Sequence, residues 1–138
     1  MKVFLDTNAI IYFLEENPRF YRQVVGYFER AEKGEIELYT SSLSYMEVLV
    51  PVVKLERVAL EARYNYLFER FLRVVDIDLD VAREAAVVKA RYGFKTPDAL
   101  QVACALSVPC KKFVTAGRPL ARVEGLEVIL LKESRDPG

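Results

Sequence analysis

The sequence predicts an α/β fold in which a parallel sheet carries helices on both faces. Short apolar runs of strand length alternate along the chain with longer segments whose apolar residues recur at helical spacing, which is the pattern of such folds. The 138 residues and the hydrophobic fraction of 52% suffice for one hydrophobic core and exclude a wholly disordered chain. Because no internal repeat or interdomain linker is visible, we expect one domain over residues 1–132 and a polar C-terminal tail over residues 133–138.

Five short segments predict the strands of this sheet. Residues 3–5 form a wholly apolar run, which is typical of a strand buried on both faces. Residues 36–39 alternate apolar and polar side chains, as expected of a strand with one covered face. The predicted strands cover residues 3–5, 36–39, 74–77, 113–115 and 126–131.

Helical spacing, caps and helix breakers predict the segments between the strands. Residues 7–8 supply a turn and a cap for the first helix, and Ser44 with Glu47 has the spacing of a capping box that opens a later helix. Pro51 is expected to interrupt that helix, and Thr96 to cap the last one. The predicted helices cover residues 9–14, 20–33, 44–50, 60–71, 80–92 and 96–107.

The composition excludes several kinds of active site. Histidine is absent, so Ser-His-Asp and Cys-His triads and histidine-type zinc sites are impossible. The two cysteines are too few for a four-thiolate zinc site, and Cys104 lies in an apolar helical segment where a core position is expected. The chain has 20 basic and 20 acidic residues, so any contact with nucleic acid must come from local basic patches.

Nothing in the sequence predicts a membrane protein. No apolar run approaches the roughly 20 residues that a transmembrane helix needs. The acid at position 6 comes too early for a secretory signal peptide. We therefore interpret the protein as cytoplasmic, without a membrane segment.

Three acids occupy equivalent places in this α/β pattern. Asp6 ends the first predicted strand, Glu47 follows the second, and Asp98 begins the helix that leads into the fourth. Ligands of open parallel sheets bind beyond the carboxyl ends of the strands. Because crossover helices run antiparallel to the strands, the N-terminus of the last helix belongs at that same edge. We therefore expect the three carboxylates around one crevice.

Clustered carboxylates point to a divalent cation. Like charges packed together repel and raise each other's pKa values unless a cation joins them. Oxygen ligands without histidine or cysteine suit Mg²⁺ or Mn²⁺. Such an ion activates a water and stabilises charge on a phosphodiester. The arrangement therefore predicts metal-dependent hydrolysis at Asp6, Glu47 and Asp98.

Each acid also has a purely structural interpretation. Glu47 completes a capping box with Ser44. Asp98 lies in a first helical turn, where the helix dipole favours an acid. Asp6 is explicable as a turn residue. These roles are compatible with metal binding, since an acid in a first turn can cap and coordinate.

The residues around these acids resemble the PIN-domain family, in particular the VapC-like toxin ribonucleases of prokaryotic toxin–antitoxin pairs. Their order and spacing agree with the family along nearly the whole chain. The matching stretches are Val-Phe-Leu-Asp-Thr-Asn at 3–8, Ser-Ser-Leu-Ser-Tyr-Met-Glu at 41–47, Lys-Thr-Pro-Asp-Ala-Leu at 95–100 and Phe-Val-Thr-Ala-Gly at 113–117.

This resemblance implies a five-stranded parallel sheet in a three-layer α/β/α sandwich, and metal-dependent cleavage of RNA. By this resemblance, Asp6 and Asp98 are expected to be metal ligands, and Glu47 is expected to be the third acid of the site. It further implies supporting hydrogen-bond roles for Asn8 and Thr115. The structural alternatives are a helix cap for Asn8 and a strand-end turn for Thr115.

The chain departs from the family after the fourth strand. The family usually has a fourth acid where this chain has Gly117, and the nearest following acid is Glu124. The loss of one carboxylate should weaken a second metal position. It leaves one-ion and two-ion chemistry both open.

Basic and aromatic residues suggest partners. Lysines and arginines flank the proposed crevice and could contact RNA phosphates, or they could form a solvated charged face. Several tyrosines could stack on bases, or serve as core and rim aromatics. The residues concerned are Lys89, Arg91, Lys95, Arg118 and Arg122, with Tyr12, Tyr45 and Tyr92.

One helix carries an unusual number of aromatic side chains, Tyr64, Tyr66, Phe68 and Phe71. The first interpretation is a place in the hydrophobic core. The second is a groove for an antitoxin segment or a dimer seam. The family resemblance implies both a small antitoxin partner and a homodimer.

Three hypotheses for function remain at this point. The first is a Mg²⁺- or Mn²⁺-dependent endoribonuclease. The second is a haloacid-dehalogenase-like phosphatase, which also begins with an apolar strand ending in Asp but would need an acid where Asn8 stands. The third is a PIN-like domain that binds RNA or protein without cleavage, for which Gly117 is the main support.

Overall fold

The computed structural model of the protein describes residues 1–132, so the predicted tail over residues 133–138 lies outside the described part. The strands are β1 (Lys2–Leu5), β2 (Glu37–Ser41), β3 (Leu72–Val75), β4 (Lys112–Thr115) and β5 (Glu127–Leu130). The helices are α1 (Thr7–Leu14), α2 (Tyr21–Glu32), α3 (Ser42–Lys54), α4 (Val58–Arg70), α5 (Leu79–Tyr92) and α6 (Thr96–Ser107), and a 3₁₀-helix covers Arg118–Arg122. None of the helices described within residues 1–132 has both the length and the apolar character needed to cross a bilayer.

The strands form one five-stranded sheet in the order β3-β2-β1-β4-β5. Each neighbouring pair is parallel, which confirms the predicted α/β fold with its parallel sheet. The chain builds the sheet outward from β1 to β3 and then crosses to place β4 on the other side of β1. The carboxyl ends of β1 and β4 therefore meet at the topological switch point, where open α/β sheets bind their ligands.

The hydrophobic core lies on both faces of the sheet, which makes the fold a three-layer α/β/α sandwich. Val3 and Leu5 of β1 join a cluster with α1–α4, whereas Phe4 joins a second cluster with α5 and α6. This alternation follows from the period of two along a strand. All three side chains are fully buried, as expected of the central strand in a doubly covered sheet.

Helix α3 differs from its prediction at both ends. It begins at Ser42 with Ser41 as its N-cap, because the Ser41 hydroxyl accepts the backbone N–H of Ser44. Ser44 is thus a buried residue inside the helix, and the predicted capping box with Glu47 is wrong. Pro51 also lies inside the helix instead of interrupting it. Burial of neighbouring apolar residues such as Val48 and Val52 offsets the roughly 3 kcal/mol that an internal proline costs.

The other predicted caps are displaced by one or two residues. Asp6 caps α1, since its carboxylate accepts the backbone N–H of Thr7, so the cap predicted at residues 7–8 is wrong. Thr96 is the first helical residue of α6, and Lys95 occupies the cap position without a side-chain bond. Strand β3 begins two residues before its predicted start because its register pairs Leu72 with a residue of β2.

Candidate active site

Asp6 stands at the switch point between β1 and β4. Its backbone N–H bonds to the carbonyl of Val114 in β4 at 2.9 Å, so the main chain of the adjacent strand fixes its position. Its Oδ1 atom accepts the N–H of Thr7 at 2.8 Å, and its Oδ2 atom accepts the Thr115 hydroxyl at 2.6 Å. The side chain is therefore held in one orientation while remaining only half-buried.

Thr115 ends β4 and is fully buried. Its Oγ1 atom donates to Asp6 and accepts the backbone N–H of Gly117 at 3.0 Å. The side chain thus closes a strand-end turn and orients an acid at the same time. This geometry is compatible with both roles expected for Thr115, the supporting hydrogen bond and the strand-end turn.

Glu47 reaches the same edge from the second turn of α3. Its Oε1 atom accepts the hydroxyl of the buried Thr7 at 2.6 Å. Thr7 directly follows Asp6, so the first residue of α1 links the acid of β1 to the acid of α3. Glu47 is half-buried, which leaves part of its carboxylate in contact with solvent.

Asp98 lies in the first turn of α6 and is half-buried. Burial first, and then the negative charge of Asp6, raise the pKa of Asp98 above its ordinary value. The nearby Lys95 acts in the opposite direction, and the charge of Glu47 raises the pKa further. Asp6 and Glu47 therefore lie near enough to Asp98 for their charges to affect its pKa.

The donor chemistry of this region fits a hard divalent cation. Oxygen ligands without histidine or thiolate are those that Mg²⁺ and Mn²⁺ prefer. The carboxylates are not assembled into a finished site, since residues 1–132 contain no group of three His, Cys, Asp or Glu side chains placed to hold a metal ion. The metal-ligand roles of Asp6, Glu47 and Asp98 remain predictions.

Gln101 is a polar residue of this region that sequence reasoning missed. It lies on α6 about one turn after Asp98 and is only 1% exposed. Its amide N–H group bonds to Asp6 Oδ1 at 3.0 Å and to Ser44 Oγ at 2.7 Å. The available signal was a single amide within an otherwise apolar helical segment, because a buried amide needs partners.

The other described residues considered from the sequence, Asn8, Gly117 and Glu124, make no hydrogen bond to the three acids. Asn8 is exposed, its side chain has no hydrogen bond to any residue of the described range 1–132, and it does not cap α1. Gly117 has φ −83°, which any residue can adopt. Glu124 bonds to Arg91 at 2.7 Å.

The basic residues divide into two groups. Lys95 is beside Asp98, and Arg118 is an exposed residue directly after Gly117. Arg91 and Arg122 instead cover the ring of Tyr92, with guanidinium-to-centroid distances of 5.1 and 6.0 Å. Lys89 donates to the carbonyl of Phe94 and to Thr96.

The two cysteines are structural. Both are free and buried, as expected for Cys104. Burial raises the pKa of Cys104 to about 12 and that of Cys110 to about 11. Because the thiolate is the reactive form, neither side chain serves as a nucleophile near neutral pH.

A family model of the PIN domain matches residues 3–126. The chain belongs to the PIN-domain family. Members of this family are generally nucleases that use a divalent metal ion. The match favours a nuclease over the haloacid-dehalogenase-like phosphatase. A comparison of this PIN domain with curated proteins gave no match.

Solved structures similar to this PIN domain confirm its fold. A chain of a toxin–antitoxin complex from Klebsiella pneumoniae has a TM-score of 0.75 at 21% identity, over 96% of this chain and 99% of that one. A chain of VapBC2 from Rickettsia felis bound to a promoter DNA fragment has a TM-score of 0.74 at 17% identity, over 96% and 100%. A chain of FitAcB from Neisseria gonorrhoeae has a TM-score of 0.67 at 20% identity, over 93% and 96%.

The raised pKa of Asp98 predicts a pH-dependent gain of stability in Asp98→Asn. A folded-state pKa above the ordinary value of 3.8 means that ionisation of Asp98 opposes folding. In metal-free buffer we expect the variant to have a higher Tm than the wild type at pH 7. The gain should disappear as the pH falls below 3.8, where both states of the wild type are protonated. Thermal unfolding across this pH range tests the prediction, and equal Tm values at pH 7 would contradict it.

Proposed function

We propose that this PIN domain is a metal-dependent endoribonuclease and the toxin of a toxin–antitoxin pair. The observation that carries the proposal is the placement of Asp6 and Glu47 at the switch point of the sheet, where Thr7 links their two carboxylates. Asp98 lies near enough for their charges to affect its pKa. Burial first, and then the charges of Asp6 and Glu47, raise the pKa of Asp98, and a divalent cation is the partner that makes such proximity favourable. The fold and family support the same activity.

Each acid has a distinct part in this proposal. Asp6 and Asp98 hold the ion, and Glu47 helps to hold it or orients the attacking water. Thr115 keeps Asp6 Oδ2 in place through its hydroxyl, and Asn8 supplies an exposed amide at the start of α1. A bound Mg²⁺ or Mn²⁺ supplies charge stabilisation at the phosphodiester and lowers the pKa of the attacking water.

The basic residues closest to the acids would bind the RNA backbone. Lys95 stands beside Asp98, and Arg118 follows the end of β4 by three positions. Phosphate contacts of this kind position RNA without reading its sequence. Binding should therefore weaken as the salt concentration rises.

An RNA cleavage assay tests the proposed activity. We expect cleavage of structured or unstructured RNA in Mn²⁺ or Mg²⁺, and its complete loss in EDTA. Cleavage that persists in EDTA would overturn the metal mechanism. RNA binding without any cleavage would favour the alternative of a weakened binding domain, for which Gly117 is the supporting observation.

A groove between α1, α2 and α4 supports the proposed antitoxin partner. It has a volume of about 470 Å³ and is lined by residues that include Phe13, Tyr21, Tyr66 and Phe71. Tyr66 is 56% exposed, whereas the neighbouring Tyr64 is fully buried, so the aromatic residues of α4 are divided between groove and core. Similar solved structures are described as toxin–antitoxin complexes.

Co-purification tests the antitoxin proposal. The product of a neighbouring small open reading frame should bind the wild-type PIN domain and inhibit RNA cleavage. Tyr66→Asp places a charge in the groove and should abolish both effects. Leu79→Asp, at an 87% exposed apolar residue outside the groove, is the control. Equal binding by Tyr66→Asp and the wild type would contradict the proposed surface.

The proposed homodimer is supported by an apolar stripe on α3. Met46, Val50 and Val53 are 51%, 54% and 57% exposed, and their spacing of four and three residues places them on one helix face. Val50→Lys should convert a dimer to a monomer in sedimentation equilibrium. A wild-type monomer at micromolar concentration would contradict the dimer.

A further inference from the structure

Gln101 joins two acids that the proposed function treats as separate ligands. Its amide lies under the switch point, where α6 packs against the start of α1 and α3. No buried side-chain nitrogen or oxygen in the described part of the chain lacks a hydrogen-bond partner. A buried amide network that is fully satisfied holds its members in one arrangement.

The orientation of the Gln101 amide follows from the groups around it. Asp6 Oδ1 already accepts the backbone N–H of Thr7 and acts as an acceptor, so the NH₂ group of Gln101 faces it. The Gln101 carbonyl oxygen then accepts the hydroxyl of Ser41, which also caps α3. The second amide proton points to Ser44 Oγ.

The hydroxyl groups of Ser44 and Thr7 extend the hydrogen-bond network to Glu47. Thr7 Oγ1 donates to Glu47 Oε1 at 2.6 Å, so its own proton is committed. The Ser44 hydroxyl lies 2.9 Å from Thr7 Oγ1 and must therefore donate to it. One directed path thus runs from the Gln101 amide through Ser44 and Thr7 to Glu47, while the other amide proton holds Asp6.

We propose that Gln101 is the positioning residue of this site, which fixes Asp6 and Glu47 relative to each other so that their remaining lone pairs face a divalent cation together. Asp6 Oδ1 accepts two protein donors, Thr7 and Gln101, whereas Asp6 Oδ2 accepts only the Thr115 hydroxyl and keeps a second lone pair. Glu47 Oε1 accepts the Thr7 hydroxyl, so the second lone pair of Asp6 Oδ2 and the Glu47 Oε2 atom are left to share a ligand. This inference rests on the proposed metal-dependent function. It assigns Gln101 no contact with substrate.

A pair of substitutions on α6 separates positioning from stability. Gln101→Met keeps the side-chain volume but removes the amide, whereas Val102→Ala opens a small cavity at the next residue, which is 1% exposed and has no polar side chain. Loss of such outer hydrogen bonds typically costs about 10–100-fold in metal affinity or activity. For Gln101→Met we expect Mn²⁺ titration calorimetry to show a Kd increased by about 10–100-fold. Its kcat for RNA should fall, while KM stays near the wild-type value. Val102→Ala should lower the Tm but keep the wild-type Mn²⁺ affinity.

A second variant guards against a failure of Gln101→Met to fold. Ser44→Ala removes the Ser44 step of the branch to Glu47, and it leaves the bonds from Gln101 to Asp6 and, at 3.2 Å, to Thr7 Oγ1. It should weaken Mn²⁺ binding in the wild-type background but have little further effect in Glu47→Gln, because Ser44 acts through Glu47. A full additional loss in that double variant would overturn the proposed path.

The outcomes distinguish this inference from the proposed function. Wild-type Mn²⁺ affinity and kcat in Gln101→Met would overturn the positioning role and leave the nuclease intact. A wild-type protein that binds Mn²⁺ but does not cleave RNA would refute the nuclease, while the calorimetry still decides the role of Gln101. A wild-type protein that binds no Mn²⁺ would overturn both.

Discussion

Asp6→Asn should abolish RNA cleavage while leaving the fold intact. The substitution removes the negative charge at the centre of the site, and an ion that supplies several kcal/mol of charge stabilisation implies a loss of at least about 10³-fold in kcat. The amide oxygen of Asn can still accept the N–H of Thr7, so α1 should keep its N-cap. The Thr115 hydroxyl, which donates to Asp6 now, can rotate to accept the new NH₂ group. Initial rates of RNA cleavage in Mn²⁺, with circular dichroism as the check of folding, measure this effect.

Asp78→Asn is the matched control for this substitution. Asp78 is also the N-cap of a helix, since its Oδ1 atom accepts the N–H of Val81 at the start of α5. Its charge is not among those that raise the pKa of Asp98. The same chemical change should therefore leave the cleavage rate unaltered. If both variants lost activity equally, the loss would come from capping and not from the site.

Gly117→Asp should strengthen metal binding by restoring a fourth acid after β4. A Cβ atom at this position would lie 3.4 Å from Thr115 Oγ1 and 3.5 Å from a Leu120 methyl carbon, which are ordinary contacts. The backbone there has φ −83°, so the substitution adds no strain. One extra carboxylate near the ion should lower the Kd for Mn²⁺ by about tenfold, equivalent to roughly 1.4 kcal/mol. Mn²⁺ titration calorimetry and the cleavage rate are the two measurements.

Gly117→Asn provides the comparison of equal shape without the charge. It should leave the Mn²⁺ affinity little changed, since a neutral amide is a weaker ligand than a carboxylate. In metal-free buffer Gly117→Asp should have the lower Tm of the two variants, because a fourth negative charge adds to the repulsion around Asp98. A Gly117→Asp protein with wild-type affinity for Mn²⁺ would show that this position does not face the ion.

The sequence predicted those parts of the molecule that depend on local patterns. The apolar run of β1 and the acid that ends it were recognisable because a doubly buried strand has no polar positions. The edge of the sheet to which Glu47 and Asp98 belong followed from the direction of parallel strands and crossover helices. The charges of Asp6 and Glu47 both contribute to the raised pKa of Asp98.

The parts that were missed depend on tertiary contacts. Ser44 reads as a helix cap, but its burial against Thr7 draws it into α3 and leaves Ser41 as the cap. Pro51 reads as a helix breaker, but the packing of Val52 and its neighbours keeps the helix continuous. Gln101 has no local signal that names its partners, because Ser41 and Ser44 lie about sixty residues away in the chain. The roles of such residues depend on which elements pack together in the fold. The spacing of residues along the sequence does not reveal that packing.

The hydrogen bond between Thr115 and Asp6 joins positions 109 residues apart. A chain emerging from the ribosome exposes its N-terminal residues first, and contacts of large sequence separation form slowly. Asp6 and Glu47 are therefore synthesised well before the residues that complete their surroundings, and β4 must pair with β1 before the Asp6 carboxylate has its final neighbours. A nascent chain that ends before β4 lacks the Thr115 hydroxyl that orients Asp6, so the proposed site stays incomplete until β4 has been made and has paired with β1.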